Sequence, residues 1–188
     1  MRLQYLAAGL VIVVAFAGGL VFLLGSGSTT SSPGTPRTIR HIALPAGPSP
    51  SASAQMVCAS EAQSELTSAL GVAATTVTTP TWVDHLYSCR YVYPAGVIAV
   101  SVKELSSRVE TTAYFEALRT QLGQSERLKG VAQGAFVTTD GSLVLRKDYK
   151  VLLVDTSGLA VPFGTGFKTR SQVAVGVGVT VLGCWTGA

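Results

Sequence analysis

The apolar and polar positions of this chain fall into three regimes. From Leu3 to Leu24 twenty-two residues pass without a charge, which at about 1.5 Å per residue makes a helix of about 33 Å, the hydrocarbon thickness of a bilayer. From Gly25 to Ala54, Ser, Thr, Pro, Gly and Ala dominate, a composition that buries too little apolar area to offset the entropy of ordering. From Gln55 onward the apolar positions recur with the periods of secondary structure. The reading is a membrane anchor or export signal over 1–24, a flexible tether over 25–54 and a compact domain over 55–188, long enough for one core.

Inside the domain, Ala62, Leu66, Ala69 and Leu70 lie at helical spacing and predict a helix over Ala59 to Leu70, closed by Gly71. Leu86 to Tyr93 and Val97 to Leu105 are rich in β-formers around Pro94-Ala95-Gly96, which predicts a hairpin. Ser106 or Ser107 caps a second helix running to about Leu122, with Phe115, Leu118 and Leu122 as its inward stripe and Gly123 as its stop. Ala135 to Thr139 and Ser142 to Arg146 flank Asp140-Gly141, a pair suited to a type I′ turn, and Lys150 to Asp155 follows after a turn near Asp148. Val173, Val175, Val177, Val179 and Val181 alternate like a strand, yet Ala174, Gly176, Gly178 and Leu182 keep the other face apolar too. Period alone leaves helix and strand open there, and Thr169 or Ser171 stands ready as a helix cap. The expected class is α+β: an antiparallel sheet of about five strands with packed helices, preceded by one N-terminal transmembrane helix.

Ala15-Phe16-Ala17 has the form of a signal-peptidase site. Cleavage there would leave Gly18 to Leu24 as an exposed apolar terminus, so an uncleaved anchor is favoured and a secreted, cleaved form is the alternative. Gly25 and Ser26 stand where a lipoprotein carries its acylated cysteine. Arg2 is nearly balanced by Arg37 and Arg40 under the positive-inside rule; the cysteines and the export-like start then favour a single-pass chain with its domain outside the cytoplasm.

The formal charge of +4 owes three to those same arginines, leaving eleven basic against ten acidic residues in the domain. Such near-neutrality disfavours nucleic acid as a partner. The chain has no Asn, so N-glycosylation is excluded.

Three cysteines in an exported domain imply one disulfide and one leftover thiol. A bond between Cys58 and Cys89 would staple the first helix to the first strand; Cys184, beside Trp185, is the alternative partner of Cys89. The cysteines lack the C-x-x-C pairs of structural zinc sites and His41 lies in the tether, so no metal is expected. No cofactor motif is present: Gly164-Thr165-Gly166 lacks the third glycine of a dinucleotide fingerprint, with Thr169 in its place.

His85, beside Asp84 and close to Tyr87, is the one general-base candidate of the domain, but no G-x-S-x-G elbow accompanies it. Glu104 with Glu110, and Asp140 with Asp148, fall at strand or turn ends where solvated charge is expected. Arg146-Lys147-Asp148-Tyr149-Lys150 reads as a solvated charged turn. Thr156 to Phe167, which carries Leu159, Phe163 and Phe167 among glycines and Pro162, is the candidate ligand or partner loop, either packed as a lid or presenting a sticky edge.

Cys58 before a short helix, Trp82, Tyr87-Ser88-Cys89-Arg90-Tyr91, Gly134-Ala135-Phe136, Val151 to Asp155 and the closing Cys184-Trp185-Thr186-Gly187 together resemble a group of actinobacterial membrane-anchored or secreted proteins. More loosely, the order of elements is similar to the DUF3558-type lipoprotein domains and the wider Mog1/PsbP-like α-β-α sandwiches. The resemblance implies a helix rather than a strand over 171–183 and an extracytoplasmic ligand- or protein-binding module, and it carries over no catalytic residue. The expected function is a membrane-tethered, non-catalytic binding module for an envelope protein or lipid. The alternatives are a cell-envelope hydrolase using His85 and a redox or stress sensor using Cys184.

Overall fold

A computed structural model describes residues 45–166 and 168–186. The expected anchor over 1–24 and most of the expected tether lie outside them. Among the described residues no helix is long and apolar enough to cross a membrane.

The fold is α+β. Two helices, α1 (Ala52–Met56) and α2 (Ser60–Leu70), precede strands β1 (Thr76–Val77), β2 (Thr81–Val83), β3 (Leu86–Tyr93) and β4 (Gly96–Glu104). Helix α3 (Arg108–Leu122) follows, then β5 (Gln124–Leu128), β6 (Ala135–Thr138), β7 (Leu143–Lys147), β8 (Lys150–Asp155) and finally α4 (Arg170–Thr186). One sheet of eight strands runs in the order β1-β3-β4-β8-β7-β6-β5, with β2 also paired to β3. Every pairing is antiparallel.

The expected count of about five strands is therefore too low. All five expected strands form, and β1, β2 and β5 join them. The first two are two and three residues long, too short for a period to declare itself. Strand β5 reads Gln-Ser-Glu-Arg-Leu, with a register shift between Gln124 and Glu126; its backbone bonds to β6 place it in the sheet although its side chains carry no alternating apolar face. Asp140-Gly141 also departs from the type I′ expectation, because only Gly141 takes a positive φ, of 93°. Asp140 instead accepts the Ser142 N–H at 3.0 Å and the Thr138 hydroxyl, so its side chain closes the turn. The pair with positive φ at both positions is Asp84-His85, at 49° and 57°, between β2 and β3.

The helices begin and end on recognisable chemistry. Ser107 caps α3 by accepting the Glu110 N–H at 3.1 Å, and the Glu110 carboxylate takes the Ser106 N–H at 3.0 Å. Helix α2 stops at Gly71, whose φ of 70° is left-handed. The valine-rich tail folds as helix α4. Its start is a reciprocal box in which Thr169 Oγ1 accepts the Gln172 N–H at 3.3 Å while Gln172 Oε1 accepts the Thr169 N–H at 2.8 Å. Val173, Val177 and Val181, together with Ala174, are buried, whereas Val179 is half exposed; this i, i+4 stripe overrides the β-preference of the valines. A Cβ on Gly178 would lie 2.1 Å from Leu143 Cδ2, so glycine there lets α4 settle on β7.

Alternation along the strands sends side chains to two different cores. On one face Cys89, Tyr91, Tyr93, Ile98, Val100, Val102, Leu143, Leu145, Leu152 and Val154 pack under α1, α2 and α4. On the other, Phe136, Val144 and Val151 meet Phe115 of α3.

Residues 45–54, read from the sequence as the end of the tether, are held on the domain. Ala46 donates to the Leu105 carbonyl at 3.0 Å, the Trp82 indole N–H donates to the Pro48 carbonyl at 3.1 Å, and Ala54 is fully buried. Ser51 caps α1 and gives both its N–H (3.1 Å) and its hydroxyl to the Glu104 carboxylate. Composition pointed the other way because none of these small residues offers a large apolar side chain, whereas the contacts are mainly backbone hydrogen bonds.

Candidate functional site

A groove opens where α1, α2, β3 and the end of α4 meet. Its volume is about 610 Å³, and Ala52, Met56, Ala59, Tyr87 and the cysteines Cys58 and Cys184 line it, with Gln55 and Glu61 supplying polar groups.

Each wall has a local reason. Helices α1 and α2 are separated at Val57-Cys58-Ala59, and Cys58 is bonded to Cys89 of β3, the pairing expected from the sequence. Along β3 the period of two puts Tyr87, Cys89, Tyr91 and Tyr93 on the same side. The Tyr91 hydroxyl donates to the Val57 carbonyl at 2.6 Å, which satisfies a backbone group between the two helices. The last wall is the C-terminal turn of α4, where the Trp185 indole N–H donates to the Ser53 carbonyl at 2.8 Å. Lys147 Nζ lies 3.5 Å from the Trp185 carbonyl oxygen, a cation near the negative end of that helix.

Burial pushes the phenol of Tyr87 up; it pushes Tyr91 up strongly, with the neighbouring phenols Tyr93 and Tyr87 adding to it, and it takes Tyr93 up to about 12. These phenols are neutral at physiological pH, and that of Tyr91 serves as a hydrogen-bond donor.

Other residues singled out in the sequence sit elsewhere. Leu159 is fully buried and Phe163 nearly so, packed edge-to-face on Tyr93 with ring centroids 5.1 Å apart. Of the two readings of this loop, packing inward describes these residues, because the core of the α1–α2–α4 face absorbs their apolar surface; they present no edge to a partner. Phe167 lies outside the described residues.

His85 stands exposed in the β2–β3 turn, its ring edge-on to Trp82 at 5.5 Å, and among the described residues no serine hydroxyl is hydrogen-bonded to its ring. Cys184 is a free, half-buried thiol on the groove.

Glu104 is buried, contrary to the solvated strand end expected for it. It lies opposite Lys150 in the β4–β8 register, with Lys150 Nζ 3.8 Å away and itself nearly buried, and it holds Ser51 as described above. The pair is a fastener for the incoming chain. Asp140 is likewise committed: burial raises its carboxyl, but the hydrogen bonds from Thr138 and Ser142 outweigh this and leave it below the usual carboxylate range. Asp148 takes an amide hydrogen bond from Gln133 at 3.0 Å. In the charged turn, Arg146 lies over the Phe115 ring at 5.7 Å and donates to Thr112 and to the Gln133 carbonyl.

A second, smaller cleft of about 140 Å³ opens beside α3, between Phe115, Gln124, Arg127 and Gly134. Its Arg119 is paired with Glu116 at 2.6 Å. Among the described residues no three His, Cys, Asp or Glu side chains converge as a metal site.

Sequence reasoning singled out three members of the larger groove, Cys58, Tyr87 and Cys184, without bringing them together, and it missed Met56 and Ala59. The available signal was that three separate cysteine-bearing elements all needed the same core. No family model, no curated protein and no solved structure matches the chain.

Proposed function

We propose that this chain is a membrane-tethered, extracytoplasmic binding module without catalytic activity, and that its ligand is a small apolar molecule of the envelope, such as a lipid acyl chain, held in the groove between α1, α2 and α4. The observation that carries this reading is the groove itself. A volume of about 610 Å³ falls within the roughly 300–1,000 Å³ of small-ligand sites, and a mainly apolar lining with one or two polar groups is their usual chemistry. A protein partner would instead use about 800 Å² of surface on each side, far more than this groove presents.

The N-terminal part of the sequence supports the same reading. Residues 3–24 are long and apolar enough for an anchor, and the Ser-, Thr-, Pro- and Gly-rich composition that follows suits a tether that would keep the domain near the bilayer. A finer likeness to α-β-α sandwich domains of the Mog1/PsbP or DUF3558 type is part of this proposal: helices on both faces of an antiparallel sheet are consistent with it.

The test uses the full chain reconstituted in phospholipid vesicles that carry a diazirine-labelled fatty acid. After irradiation, peptide mass mapping is expected to place the label on Met56, Tyr87 and their neighbours, and Ala59→Trp, which fills the groove, is expected to lower that labelling at least fivefold. Label confined to residues 3–24, or spread evenly over the domain and indifferent to Ala59→Trp, overturns the assignment.

A further inference from the structure

The domain's three cysteine sulfurs are gathered on the same face of the sheet, and two of them line a common groove. Cys58 and Cys184 both line it, whereas Cys89 does not. Cys89 is the more deeply buried half of the disulfide, its sulfur turned toward the Val57 carbonyl at 3.9 Å. Cys184 continues the buried stripe of α4, three residues after Val181 and seven after Val177, so its side chain follows the face that packs inward. The indole bond from Trp185 to Ser53 fixes this end of α4 on α1, and Cys58 lies two residues beyond the end of α1.

We propose that Cys184 is the attacking thiol of an internal thiol–disulfide exchange with the Cys58–Cys89 bond. The Cys184 thiolate attacks Cys58 Sγ, the sulfur on the groove; the Cys58–Cys184 bond forms as the Cys58–Cys89 bond breaks; the electron pair leaves on Cys89 Sγ. Cys89 then takes up a proton equivalent to the one Cys184 released. The chain is neither oxidised nor reduced, so no co-reactant is needed.

The consequence is mechanical. In one isomer the covalent staple joins the α1–α2 junction to β3 and leaves the groove open. In the other it joins the same junction to α4 across the groove. Isomerisation thus occludes the cavity without changing the number of thiols. This inference rests on the sulfurs alone and stands apart from the lipid reading of the groove.

Full-length Cys89→Ser and Cys58→Ser, each exposed to oxidised glutathione and mapped without reduction, give the first measurement. Cys89→Ser is expected to yield the Cys58–Cys184 peptide at least tenfold in excess of the Cys89–Cys184 peptide from Cys58→Ser. The second measurement keeps the native sequence: the protein stands at pH 8 and is then alkylated with iodoacetamide, and label is expected to appear on Cys89 as well as Cys184. Label that stays on Cys184 alone after a day overturns the proposal, whether or not the variants fold, and so does a folded Cys89→Ser variant in which Cys58 and Cys184 remain thiols. Fatty-acid labelling that vanishes while exchange persists would remove the ligand reading and leave this one intact.

Discussion

The two faces of the sheet are built by the same strands and are held together differently. Beneath α1, α2 and α4 lies the larger core, cross-linked by Cys58–Cys89, with Tyr91 bonded to Val57 inside it and Trp185 bonded to Ser53 at its edge. Beneath α3 there are four buried apolar side chains, Phe115, Phe136, Val144 and Val151, fringed by half-buried Tyr114, Leu118 and Leu122. The first face joins segments far apart in sequence, since α1, α2 and α4 come from opposite ends of the domain. The second is covered by one helix, α3, which packs on β6, β7 and β8, the strands that come soon after it in the chain. Long-range closure costs more chain entropy than local closure, and the covalent bond and directed hydrogen bonds stand on the side where that cost falls.

The comparison can be broken most directly at the disulfide. Cys58→Ser with Cys89→Ser opens a loop of 31 residues' separation and should lower stability by roughly 3 to 4 kcal/mol in denaturant titration. Hydrogen exchange should quicken first in α1 and α2 and leave α3 as it was; uniform quickening would mean that the two faces open as one unit.

Phe115→Ala tests the opposite face. It removes the ring stacked edge-to-face on Phe136 at 5.2 Å and should cost about 3 kcal/mol, with exchange rising in α3 while the disulfide face stays protected.

Tyr91→Phe is smaller. It leaves the Val57 carbonyl without the 2.6 Å hydroxyl donor and should cost about 1 kcal/mol, felt at the α1–α2 junction. If melting in urea shows no loss, the bond to Val57 contributes nothing net to joining these segments.

The least effect is expected at Asp140, in the β6–β7 turn at the margin of both faces. Its carboxyl is held below the usual range in the folded state, so the stability it contributes is present above the unfolded value of about 3.9 and is lost as pH falls through the folded value. Asp140→Asn should therefore lose a small amount of stability at neutral pH, where the carboxylate contributes, and converge with the parent as pH falls, which flattens the acid limb of the profile. A loss at pH 7 as large as that of Tyr91→Phe would show that the turn supports a face after all.

What could be read in the sequence followed from how local the determinant was. Helix α3, with its serine cap and Phe115–Leu118–Leu122 stripe, and the hairpin around Pro94-Ala95-Gly96 declare themselves within a window of a few residues. Gly96 even shows why its position is glycine: its φ is 128°, and a Cβ there would lie 2.2 Å from the Gly158 carbonyl oxygen. Strand β5 was hidden because its membership depends on partners in β6 rather than on its own side chains. The burial of Glu104 was hidden too, since only the approach of Ser51 and Lys150 turns a strand-end carboxylate into an internal anchor. The groove was illegible for the same reason: Met56, Tyr87 and Cys184 stand far apart in the chain, and nothing in their spacing brings them together.

By itself the sequence determined the α+β class, five of the eight strands, the caps and stops of the main helices and the residues that bear sulfur, because each depends on periodicity or on chemistry within a turn or two. Tertiary structure alone decided that the valine-rich tail is seated as a helix over β7, that residues 45–54 belong to the domain, and that Cys58 and Cys184 line the same groove. Those outcomes depend on packing and hydrogen bonding between segments as much as 132 residues apart, where the free energy of a contact is set by what the distant partner offers.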